Sequence, residues 1–276
     1  MMCIEVPGFS LDDTFKSKQC FSWTRRYSPV SDSFSYFVKS GKKLVRMFQS
    51  GKSRLCVSGK EDEFFDYWFN YLDLSYDYTQ IPRMSSKFPM PVHENVDRAH
   101  LLKLEPMDAI LSNLVWDHCN SFEAKKRYDL VCLECCGEKV KNFPNAGSFR
   151  WYPTPTPEEL AEHIPQLRRL FSGRLGIKLA RISSYLCLSP ELLDPSIDPE
   201  EAVMLLMESG SMSERQARRI ARSCYGLDDM CIPKKYESKV IRHSWGIDLE
   251  EVSSIDMEQL EGHLALVGIW FQKGCE

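Results

Sequence analysis

Between residues 34 and 57 the chain repeats one pattern: a short apolar-rich run, then a glycine. Phe34–Lys39, Lys43–Phe48 and Arg54–Val57 are separated by Gly41 and Gly51. Short runs with glycine turns at this spacing predict an antiparallel meander. Residues 61–71, aromatics clustered among acids, read as a short helix or loop. From about residue 97 the period changes. In 106–116 the apolar positions 107, 110, 111, 114 and 115 follow helical spacing, behind a proline suited to a first turn. Residues 122–136 predict a second helix. The stretch Trp151-Tyr-Pro-Thr-Pro-Thr-Pro157 is a rigid connector, and Thr156 or Pro157 can open a helix at Glu158. Further helices are expected near 177–186, 199–208, 213–225, 234–242 and 256–271. The expected class is α+β: a small antiparallel β-domain over residues 1–80, followed by an all-helical domain over 81–276.

At 276 residues the chain can bury a core without staples. No apolar run approaches the roughly 18 residues of a membrane span, and the first residues carry no basic, apolar leader. The expectation is a monomer without a membrane segment, cytoplasmic or nuclear/nucleoid, not secreted. Eleven cysteines, an odd number, then read as reduced thiols. The densest group, Cys132, Cys135 and Cys136, with His118 and Cys119 upstream, falls inside a helix expected over 127–139. Its spacing suits buried small side chains better than a metal site. No metal and no cofactor are expected. The net charge of −4 hides an asymmetry: residues 1–60 hold eleven Lys and Arg against four acids. A local basic face, not the total charge, governs phosphate binding.

Five further stretches carry a resemblance. Phe9-Ser-Leu-Asp-Asp-Thr-Phe15, followed by Gln19-Cys-Phe-Ser-Trp23, is similar to the entry strand of 8-oxoguanine DNA glycosylases of the helix-hairpin-helix superfamily. Tyr71-Leu-Asp-Leu-Ser-Tyr-Asp-Tyr78 resembles the segment by which those proteins leave their β-domain. Leu104-Glu-Pro-Met-Asp-Ala-Ile110 and Leu175-Gly-Ile-Lys-Leu-Ala-Arg-Ile182 resemble two of their helices, and residues 260–271 their closing helix. The matches run in the family's order over nearly the whole chain. The resemblance implies double-stranded DNA as partner and base-excision repair as context.

The family's hairpin loop, L-P-G-V-G before a helix, is matched here by Glu208-Ser-Gly-Ser-Met-Ser-Glu214. Gly210 is kept, and Met212 stands where the second glycine would be. A methionine disfavours positive φ and adds bulk where a phosphate would approach, so the motif is degenerate. The following helix carries Arg215, Arg218, Arg219 and Arg222 on one face, a spacing that suits phosphate contacts or a solvated surface. Ala217, Ile220, Ala221 and Cys224 face the other way.

The resemblance also places the chemistry, and the chemistry has changed. The family's nucleophilic lysine aligns with Glu214 and its catalytic aspartate with Lys235. Either the site has decayed or the pair has exchanged roles, with Lys235 attacking the sugar and Glu214 stabilising its positive charge. The base-reading glycine aligns with Lys18. The asparagine triplet that fills the gap left by a flipped base aligns with His118-Cys119-Asn120, of which Asn120 alone is kept. Two functions follow as expectations: a divergent DNA N-glycosylase acting on or holding damaged bases, or a catalytically inactive relative serving as a lesion-binding or protein-interaction module.

Overall fold

The structure, a computed structural model, describes residues 1–28, 32–76, 99–117, 119–144 and 146–227. Strands β1 (Met2–Glu5), β2 (Trp23–Ser28), β3 (Ser33–Ser40), β4 (Lys43–Ser50) and β5 (Arg54–Ser58) form one antiparallel sheet in the order β1-β5-β4-β3-β2. The three central strands are those the glycine spacing predicts. The β3–β4 register pairs Ser40 with Lys43 across the Gly41 turn.

Residues 9–15 depart from the strand expected there. Leu11–Lys16 is a helix, α1, because Ser10 caps it by accepting from Asp13 N, with Asp12 and Asp13 in its first turn. The side-chain cap and the acids at a helix N-terminus outweigh a strand reading of so short a run. The aromatic segment is helical: α2 (Glu61–Glu63) and α3 (Phe69–Tyr71) flank a π turn over Phe64–Trp68.

The helices that follow are α4 (Pro106–Val115), α5 (Ser121–Cys136), α6 (Pro157–Glu162), α7 (Ile164–Leu170), α8 (Arg174–Leu188), α9 (Pro199–Glu208) and α10 (Glu214–Tyr225). All ten residues of α4 are buried, and α5, α8 and α10 pack around it. One apolar core runs from Trp23, Tyr36 and Val38 of the sheet through Ile110 and Leu114 to Ile182, Leu206 and Ile220. Thr156 forms a capping box with Glu159 and opens α6.

The helical part also carries a two-stranded hairpin that helical periodicity does not announce, β6 (Lys139–Phe143) paired with β7 (Gly147–Trp151). Helix α5 stops at Cys136, as the 122–136 spacing predicts and short of the 139 assigned to the cysteine-bearing helix. Gly137, at φ 68°, takes the chain out of the helix. The hairpin earns its place through the sheet's outer face: Phe37 of β3 stacks on Phe149 at 3.8 Å and meets Phe143 edge-on at 5.4 Å. Residues on both faces of β3 are thereby buried.

The thiol expectation needs one correction. Cys3 and Cys56 form a disulfide, because the β1–β5 register sets them directly opposite with Cα atoms 4.1 Å apart. Cys132 and Cys135 are buried, and burial pushes their thiols up to about 11 and about 12. Such thiols are poor metal ligands and nucleophiles. Among the described residues no cluster of His, Cys, Asp and Glu could hold a metal ion. No described helix is long and apolar enough to cross a membrane.

Candidate nucleic-acid interface

Helices α9 and α10 form the hairpin, and the loop between them is built largely from its own serines. Ser209 Oγ donates to Leu206 O, and Ser211 N donates to Ser209 Oγ at 3.2 Å. Gly210 sits at φ 63°, where a side chain would be strained. Ser213 caps α10 by accepting from Gln216 N, and Gln216 answers to the Ser213 backbone. Met212 differs from its expectation. It keeps a negative φ, and its side chain is 8% exposed, turned into the core. Its bulk does not stand in front of the loop.

The arginine face of α10 divides. Ala217, Ile220 and Ala221 are fully buried as the spacing requires. Arg215 is exposed, while Arg218, Arg219 and Arg222 are half-buried. Arg218 is drawn sideways: its Nε donates to Glu214 Oε1 and its Nη1 to Glu200 Oε1, both at 3.2 Å. It closes α10 against α9. Glu214, the first residue of α10, is thus engaged by Arg218, and its carboxylate lies at the positive end of the helix. Arg219 lies 6.0 Å from the Trp116 ring centroid, at the end of α4.

That end of α4 leads into residues 118–120. His118 lies outside the described residues. Cys119 Sγ donates to Val115 O, and Asn120 caps α5, its Oδ1 accepting from Glu123 N at 2.9 Å. Lys18 comes to the same place from the N-terminal part. It holds a left-handed backbone, φ 54°, and its Nζ donates to Ser121 Oγ at 2.6 Å. The structure therefore brings Lys18 and Asn120 together. Lys235 lies outside the described residues, so the second half of the expected catalytic pair is not placed.

Helix α8 supplies residues that a search for catalytic positions passes over. Lys178 Nζ donates to Asp117 Oδ2 at 2.6 Å, and Lys178 O accepts from Ser211 Oγ. Arg181 Nη1 donates to Gly210 O at 3.3 Å. One helix thus ties both Asp117, at the end of α4, and the hairpin loop. Lys178 and Arg181 fall within the 175–182 stretch that carries the resemblance, which was the available signal.

The fold has counterparts among solved structures. The fold is that of DNA glycosylases: MBOgg1, solved in complex with low affinity DNA ligand, superposes with a TM-score of 0.77 at 19% identity, covering 99% of this chain and 95% of that one. The Clostridium acetobutylicum 8-oxoguanine glycosylase/lyase, solved with dsDNA containing cytosine opposite to 8-oxoG, gives 0.74 at 18% identity, with 99% and 98% covered. The 3-methyladenine DNA-glycosylase of Archaeoglobus fulgidus gives 0.69 at 13%, with 99% of each chain covered. Residues 2–99 match the family model described as 8-oxoguanine DNA glycosylase, N-terminal domain. No curated protein sequence matches it.

Proposed function

We propose that this chain binds double-stranded DNA in a base-excision-repair role, through the α9–α10 hairpin and the loop before α5. The observation that carries the reading is the hairpin: a left-handed Gly210 before a capped, arginine-bearing α10, with α8 holding that loop and also bonding Asp117 at the end of α4. The positive N-terminus of α10 suits a phosphate, and Arg215 and Arg222 carry positive charge along the helix. The solved relatives named above that hold DNA use the same fold.

Within that role, the chain holds an abnormal base or abasic site rather than repeating the family's lysine chemistry. Glu214 supports this, since a carboxylate tied to Arg218 cannot act as an amine nucleophile. The competing reading, a glycosylase with exchanged roles, requires Lys235 to be the nucleophile. Single-turnover assays on duplexes carrying 8-oxoguanine, alkylated purines or deaminated bases, with borohydride in parallel, separate them. The expected result is salt-sensitive binding without base release. Release with a trapped adduct that disappears in Lys235→Ala would establish the exchange, and absence of duplex binding at low salt would sink both.

A further inference from the structure

A groove of about 610 Å³ opens between the end of α4, the first turns of α5 and the turn from α7 into α8. Its volume lies within the roughly 300–1,000 Å³ of small-molecule sites. Leu114, Leu130, Phe171 and Leu175 give it an apolar wall. The wall is rigid where α7 turns back: a side chain at Gly176 would meet Phe171 O at 2.5 Å, so α8 sits hard against the turn.

The rim is cationic. Lys126, Arg127 and Arg174 line it. Of the two acids on the rim, Asp117 is paired with Lys178, and Glu123 accepts from Arg127 Nε at 3.2 Å. Positive charge is in excess after those pairs are counted. Lys126 Nζ also sits 4.3 Å from the centroid of the Phe122 ring, which is 68% exposed at the start of α5.

A bare phosphate has no use for the leucine and phenylalanine wall, and an apolar ligand has none for the arginines. A planar base carrying a phosphate uses both, and Asp117 and Glu123 can accept from its exocyclic amino group or ring N–H. We propose that this groove binds a nucleoside monophosphate unit, with the base on the apolar wall and the phosphate at Lys126, Arg127 and Arg174. The unit comes either as a free nucleotide or as an unpaired nucleotide in a tail of bound DNA. Only the second source rests on the DNA-binding reading.

The test uses the full chain and two probes. One is each deoxynucleoside monophosphate, titrated by calorimetry. The other is a fluorescent blunt duplex set against the same duplex with a short single-stranded tail. Wild type is expected to bind a free nucleotide, to prefer the tailed duplex, or both, and the probe that binds names the source. Arg127→Glu with Arg174→Glu should weaken that binding at least about tenfold, consistent with the loss of phosphate contacts. Lys139→Glu, exposed on β6, should not. Arg174→Gln, milder at an exposed position, should weaken binding in the same direction if the double variant folds poorly. Wild type that binds no nucleotide and does not distinguish tailed from blunt duplex overturns the proposal. So does nucleotide binding that survives the groove variants, or that falls equally in Lys139→Glu. Blunt-duplex affinity, lost in an Arg215→Glu and Arg222→Glu protein, reports separately on the hairpin reading.

Discussion

Lys18 and Ser121, 103 positions apart in sequence, are joined by a hydrogen bond from Lys18 Nζ to Ser121 Oγ at 2.6 Å. The bond fastens the turn after α1 to the first residue of α5, next to Asn120. Lys18 makes it from a left-handed backbone, a conformation that costs an L-residue about 1–2 kcal/mol and glycine almost nothing. Lys18→Ala keeps the strained backbone and loses the bond, whereas Lys18→Gly loses the bond and relieves the backbone. Lys18→Gly is therefore expected to be the more stable of the two by about 1 kcal/mol in urea unfolding. Equal stabilities would mean that the backbone there relaxes.

Among the arginines of α10, Arg218 is set apart by its ion pairs with Glu200 and Glu214, which close α10 on α9. Arg215→Glu with Arg222→Glu is expected to weaken duplex binding at least tenfold, in order-of-magnitude terms, and to flatten the plot of log affinity against log salt by about two. Arg218→Ala should change affinity little and stability by about 0.2–1 kcal/mol, because its partners are Glu214 and Glu200 on a partly exposed surface. Equal losses of affinity from Arg218→Ala and from the double variant would refute the division.

Asp108 has no exposed surface, and its carboxylate gathers three donors from three parts of the chain. Gly41 N donates to Oδ2, and Tyr128 Oη and Thr154 Oγ1 donate to Oδ1. Nearby, Lys39 is buried with its Nζ donating to Tyr152 O at 2.8 Å and lying 4.2 Å from the Tyr128 ring centroid. Asp108→Ala strands those donors in the core, each at about 1–3 kcal/mol, so a loss of at least about 3 kcal/mol is expected by urea denaturation. A loss under about 1 kcal/mol would show that water or repacking satisfies them.

His100 gives the fold an acid limit. Burial lowers the pKa of its imidazole, against the Leu72 and Asp73 carbonyls, which raise it by bonding to Nδ1. The folded pKa therefore lies below the unfolded value of about 6.5, and the unfolded chain takes up the proton first as pH falls. The stability tied to neutral His100 is complete above about pH 6.5 and is lost as pH drops through the window down to the folded pKa. Urea midpoints should decline across that range, and His100→Gln should flatten the decline. An unchanged slope in the variant would assign the acid sensitivity to other groups.

Much of the architecture was legible because it depends on local spacing. Apolar runs punctuated by Gly41 and Gly51 specify β3, β4 and β5, and Pro106, Thr156 and the residues of 213–216 mark helix starts through backbone chemistry confined to a turn. Helix α1 was misread since its cap, Ser10 to Asp13, outweighs a strand-like resemblance in a run of six residues. Hairpin β6–β7 was missed because β6 is almost wholly exposed and has no apolar alternation; contact of Phe143 and Phe149 with Phe37, more than a hundred positions away, makes its place.

The sequence by itself determined which residue types stand at the hairpin: Gly210, Glu214 and a run of arginines. Chain composition cannot change with folding, so those residue types stand there whatever the packing. What only the tertiary structure decided is where those side chains go. Met212 turns into the core, Arg218 closes on α9, and Lys18 reaches Ser121. Each outcome is a competition between a distant partner and solvent, and the partner is brought within reach only by the packing of helices around α4.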